Sequence, residues 1–140
     1  MPRRMKVREL MSTDLVTLTE DETLAHAQRC MRSGRIRHLP VVREGRLVGL
    51  VTHRDLLAAS FSVFAEVDPA EQRRVFATIP VKELMHREVV TVGPDLPVAE
   101  AARILLRNKF GCLPVVEDDG VLVGLVTEAD FLRLTVRLLP

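Results

Sequence analysis

Gly45-Arg46-Leu47-Val48-Gly49-Leu50-Val51-Thr52-His53-Arg54-Asp55 occurs again as Gly120-Val121-Leu122-Val123-Gly124-Leu125-Val126-Thr127-Glu128-Ala129-Asp130. Each copy reads as a turn, a buried strand and a helix start. Gly45 and Gly120 supply the turn, because glycine adopts positive φ at little cost. Leu-Val-Gly-Leu-Val is short, apolar and punctuated by β-branched residues, which spells a buried strand rather than a helix. Thr52 and Thr127 then open helices, with Asp55 and Asp130 three residues on, the spacing of a capping box.

The repetition extends outward in both directions. Val7–Leu57 aligns with Val81–Leu132 across one inserted residue near Asp118 and Asp119. About two dozen positions are identical, and the period of roughly 74 residues exceeds that of stacked solenoid repeats. A small domain has been duplicated. Val7–Met11 and Val81–Met85 are short lead-ins. Leu15–Leu18 and Val89–Val92 read as first strands, and Leu24–Ser33 and Val98–Asn108 as helices. Gly34 and Asn108 suit the helix ends. Leu39–Val42 and Leu113–Val116 read as second strands, each holding a proline that marks a strand start or an edge. Helices from His53 to Phe64 and from Glu128 to Leu138 finish each copy, giving β-α-β-β-α twice. The expected division is residues 1–60, a partly helical connection over 61–80, and residues 81–140. In the connection, Asp68 and Pro69 read as a helix cap and first turn, and Phe61, Phe64 and Phe76 need something to pack on. One half has little apolar surface of its own, so the expectation is two halves packed sheet to sheet around a common core.

The bulk numbers narrow the function. The chain has 140 residues, 47% of them hydrophobic and 28% charged, as in a globular protein. A net charge of +1 argues against a general grip on nucleic acid, and the absence of Trp and Tyr removes most base stacking. No apolar run of about 18 residues exists to span a membrane, and no apolar signal core follows the basic start, so a cytoplasmic protein is expected. Cys30 and Cys112 have no metal-ligand spacing, and Cys112 is expected to be the more accessible thiol. His26, His38, His53 and His86 form no cluster by spacing, and all but His38 are expected to face solvent. No P-loop, dinucleotide fingerprint, nucleophile elbow or HExxH is present, so no enzyme is expected.

Two doubled motifs bring this pattern close to a known family. The first is Gly49-Leu50-Val51-Thr52-x-x-Asp55 with Gly124-Leu125-Val126-Thr127-x-x-Asp130. The second is an apolar residue four before a proline, Ile36 before Pro40 and Phe110 before Pro114. The chain resembles the cystathionine-β-synthase (CBS) domain pair, or Bateman module, over nearly its whole length. That resemblance implies an α/β (α+β) fold of two tandem CBS repeats with pseudo-two-fold symmetry. It also implies clefts for adenosyl ligands such as AMP, ADP, ATP or S-adenosylmethionine, with no further cofactor. By the same resemblance Thr52, Asp55, Thr127 and Asp130 hold the ribose. Val16, Ile36, Pro40, Val90, Phe110 and Pro114 line the adenine pockets.

Residue chemistry sits beside that implication. A carboxylate accepts from both ribose hydroxyls through charge-assisted bonds, yet Thr-x-x-Asp caps a helix equally well without a ligand. Phosphates call for Arg37, His38 and Arg54; the second copy has Gly111, Cys112 and Ala129 in their places, so the two clefts are expected to differ. The expected function is a non-catalytic sensor of adenine nucleotides that acts as a homodimer on an effector protein. The alternative is a dimerisation module with vestigial clefts.

Overall fold

The computed structural model describes residues 4–64 and 68–140, without the side chains of 61–64. Its elements in order are α1 (Leu24–Gly34), β1 (His38–Arg43), β2 (Arg46–Thr52), α2 (His53–Phe64), α3 (Pro69–Phe76), α4 (Val98–Asn108), β3 (Cys112–Val116), β4 (Leu122–Thr127) and α5 (Glu128–Leu138). The lead-ins Val7–Glu9 and Val81–Glu83 are single 3-10 turns. β1 pairs antiparallel with β2, and β3 with β4, giving two small sheets in a mixed α/β fold.

Two compact units emerge, and they do not follow the sequence repeat. One is Val16–Val89; the other joins Met1–Leu15 to Val90–Pro140. The lead-in of each repeat therefore belongs to the unit built on the other repeat. Buried apolar side chains form a cluster in each unit. Leu18, Leu24, Ala27, Leu39, Val51 and Phe76 mark the first cluster, and Val7, Val92, Ala101, Leu113, Val115 and Val126 the second.

Local chemistry explains most boundaries. Thr23 caps α1 by accepting the His26 N–H at 3.1 Å. Asp68 caps α3 in the same way, accepting the Glu71 N–H at 2.9 Å, and Pro69 follows at the first turn. Phe76 is fully buried, whereas the packing of Phe61 and Phe64 lies outside the described residues. The helix ends correct one expectation. Gly34 is the last helical residue, and the left-handed cap is Arg35 at φ 53°; likewise Lys109, at φ 55°, rather than Asn108 ends α4.

The expected first strands are a second correction. Each shrinks to a single parallel bridge, Leu18 with Val41 and Val92 with Val115. Leu18 donates to the Pro40 carbonyl and accepts from Val42, at 2.9 and 2.8 Å. Extending that ladder to Val16 would need an N–H on residue 40, and proline has none. Pro114 stops the ladder before Val90 for the same reason.

Candidate functional site

The doubled helix-start motif builds two similar constellations. In the first, Thr52 ends β2 and Asp55 sits in the first turn of α2. The Thr52 N–H donates to Asp55 Oδ2 at 2.9 Å, and the Asp55 N–H donates to Thr52 Oγ1 at 3.2 Å. In the second, the Thr127 N–H donates to Asp130 Oδ2 at 2.8 Å in a matching capping box. Each carboxylate thus commits one oxygen to its own helix, as the capping reading expects.

The other oxygen is where the copies diverge. Asp55 Oδ1 lies 2.8 Å from Nε2 of His86. Asp130 Oδ1 accepts from Nη1 of Arg133 at 3.0 Å. Both carboxylates are well shielded while both partners are exposed: the side chains of Asp55 and Asp130 keep 16% and 8% of their surface, against 57% for His86 and 72% for Arg133. These are weak pairs of the surface type, worth about 0–1 kcal/mol, which a ligand hydroxyl can join or displace.

Spacing gives His86 to solvent, and its side chain is indeed 57% exposed; what spacing misses is the contact with Asp55, which the backbone explains. Leu50 of β2 and His86 exchange both backbone hydrogen bonds, at 3.0 and 2.9 Å. The lead-in of the second repeat thereby lies along β2 of the first and delivers the imidazole to Asp55. Ser12 makes the equivalent pair with Leu125 of β4, at 2.9 and 3.0 Å. A swap of lead-ins leaves no mark in composition or periodicity. The one available signal was the alignment of His86 with Ser12 at the end of each lead-in.

The remaining expected residues fall into three groups. Val16 and Val90 match in exposure, 43% and 45%, and lie beside the prolines that stop the parallel ladder. Pro40 and Pro114 are themselves fully buried, so their rings offer no wall to a base; their contribution is the missing N–H. Ile36 and Phe110 are half-buried and pack on their own clusters. Arg37 and Ile36 line a hollow of about 530 Å³ between α1 and α2, together with Met31, Arg32, Arg35 and His53. Thr52 and Asp55 are not in its wall, and the Arg37 carbonyl accepts from the His53 N–H at 2.8 Å. His38 is half-buried opposite Thr52, and Arg54 is exposed beside Asp55. Cys112 is buried and Cys30 half-buried, the reverse of the expected order. Among the described residues no group of His, Cys, Asp and Glu is arranged to hold a metal ion, and no helix is long and apolar enough to cross a membrane.

The family model of the CBS domain matches residues 7–62 and again 81–137. The chain belongs to the CBS domain family. A CBS domain-containing protein of Dictyostelium discoideum is 34% identical over 137 residues, which is 97% of this chain and 94% of that protein. Among solved structures, CBSX2 of Arabidopsis thaliana in complex with AMP is 27% identical at a TM-score of 0.79, covering 95% of this chain and 97% of that one. The CBS domain pair of MJ0100, in complex with 5′-methylthioadenosine and S-adenosyl-L-methionine, is 27% identical at a TM-score of 0.81, covering 98% and 100%. Other curated relatives are longer; the chain spans 21% of one and 46% of another.

Proposed function

We propose that this CBS pair is a regulatory module that binds an adenosyl ligand and catalyses nothing. The ligand class is AMP, ADP, ATP or S-adenosylmethionine, the module is a homodimer, and the output passes to an effector protein in the cytoplasm. One observation carries the reading. Two shielded carboxylates, Asp55 and Asp130, each keep one oxygen on a helix cap and offer the other to an exposed, displaceable side chain. A vicinal diol is a fitting replacement for such a donor, since its hydroxyls donate to a carboxylate. Thr52 and Thr127 hold the carboxylates in place. Val16, Ile36, Val90 and Phe110 are half-exposed or half-buried apolar residues of the kind a base needs. Pro40 and Pro114 keep the backbone at Val16 and Val90 out of the ladder. Arg37, His38 and Arg54 are the candidate phosphate contacts. The complexes of CBSX2 and MJ0100 support the ligand class.

The scaffold reading has one observation in its favour: both capping boxes are complete without a ligand. Thermal melting against AMP, ADP, ATP and S-adenosylmethionine separates the two. A ligand at a hundred times its Kd adds about 2.7 kcal/mol to the native state. The sensor reading expects a shift that Asp55→Asn or Asp130→Asn reduces. A panel that moves no melting point leaves the scaffold.

A further inference from the structure

Two His-Arg dipeptides converge on one carboxylate. His53-Arg54 leads into Asp55 along the chain, and His86-Arg87 is brought to it by the Leu50 bridge. His86 Nε2 already touches Asp55 Oδ1. Arg54 and Arg87 are exposed; among the described residues neither pairs with a carboxylate, and Arg87 donates only to the Lys82 carbonyl, at 3.3 Å. The duplicated site is an internal control. At the matching positions around Asp130 stand Glu128 and Ala129, with Ser12 and Thr13 on the bridging lead-in. The stretches that meet at Asp55 carry Arg54 and Arg87 against Asp55 and Glu88, with His53 and His86 beside them. The corresponding stretches at Asp130 carry the acids Asp14, Glu128 and Asp130 against Arg133, which pairs with Asp130.

We propose that His86 and Arg87 are specificity-determining residues that make the Asp55 site select a 5′-phosphorylated nucleoside, while the Asp130 site takes an adenosyl ligand without phosphate. This rests on the adenosyl-binding reading above and adds which site takes which chemistry. A diol arriving at Asp55 meets His86 on the oxygen it needs. The displaced imidazole hangs from the bridged backbone and stays beside the ligand. The phosphate lies one sugar away from the diol, within the swing of that imidazole and the neighbouring guanidinium. An arginine fork matches a pair of phosphate oxygens. At Asp130 an added phosphate would meet net negative charge instead.

The test exchanges the bridging residues for those the other repeat already carries. Isothermal titration with AMP and with adenosine is run on the wild-type chain, His86→Ser/Arg87→Thr, Asp55→Asn and Asp130→Asn, with circular dichroism confirming each fold. The expected result is that the double exchange weakens AMP about tenfold or more, the scale of one charge-assisted bond, and leaves adenosine within about threefold. AMP binding should persist in Asp130→Asn and fail in Asp55→Asn. An unchanged ratio of AMP to adenosine affinity overturns the proposal, as does AMP binding that depends on Asp130 alone. Binding of neither ligand to the wild type, or binding indifferent to both aspartates, overturns the adenosyl reading itself.

Discussion

Met85 lies over Gly49 so closely that a Cβ added to that glycine would stand 2.5 Å from the methionine sulfur and 3.1 Å from the His86 carbonyl oxygen. Gly124 meets Met11 in the same way. The motif glycine is therefore the seat on which the other repeat's lead-in rests, and that seating carries His86 to Asp55. Gly49→Ala should destabilise the chain by about 1–3 kcal/mol, the usual cost of overpacking. Met85→Ala should relieve part of it, because the sulfur yields while the carbonyl does not. Urea melts of the two single variants and the double variant measure the coupling. Strictly additive losses would remove the contact as the cause.

How much of this was legible in the residues alone is clearest at these two glycines. The period of the repeat, the turn, the strands at Leu39–Val42 and Leu122–Thr127 and the capped helices follow from local chemistry, and the structure places them within a residue or two. The crossing of lead-ins is not local: Met85 aligns with Met11 whichever unit each joins. The same non-locality hid His86, whose role depends on a backbone pair with Leu50. The shortened first strands were legible in principle. Pro40 and Pro114 mark a strand start or an edge, but which neighbour loses its hydrogen bond becomes visible only once the parallel bridge at Leu18 is known.

Asp55 can be asked to separate capping from ligand binding. In Asp55→Asn the side-chain oxygen still accepts the Thr52 N–H, and the exposed His86 pair contributes little, so stability should fall by less than about 1 kcal/mol. Asp55→Ala removes the acceptor and should cost roughly 1–2 kcal/mol. Both should abolish the nucleotide-dependent rise in melting temperature at this site. A ligand shift that tracks the stability loss, large in Ala and small in Asn, would assign Asp55 to the helix cap alone.

The hairpin between β1 and β2 offers a correction to its own sequence. Glu44 and Gly45 both adopt positive φ, 51° and 80°, with Arg43 paired to Arg46 across the turn. Two left-handed residues match the twist of a two-residue hairpin, and asparagine fits the first position better than glutamate. Glu44→Asn should stabilise by a few tenths of a kcal/mol, on the order of the left-handed cost it relieves. Gly45→Ala should cost about 1 kcal/mol, although nothing lies within 4 Å of the new methyl, so backbone strain alone is measured. Thermal melts of both variants check the pair, and opposite signs are required.

Cys112 gives the fold a titratable core position. Burial pushes its thiol from an ordinary value of 9.0 up to about 12. The unfolded chain releases that proton near its ordinary value while the native chain keeps it. The unfolded state therefore binds fewer protons above pH 9.0, and stability falls as pH rises from there toward about 12. The slope approaches about 1.4 kcal/mol per pH unit at most. Cys112→Ala should cost about 1 kcal/mol at neutral pH for the lost volume and then fall less steeply, so the two stability curves converge in alkali. Urea melts at pH 7, 9 and 10 test this, and parallel curves would place the thiol in contact with water. Iodoacetamide at pH 8 supplies an independent check: half-buried Cys30 should be alkylated in the native chain, and Cys112 only after unfolding.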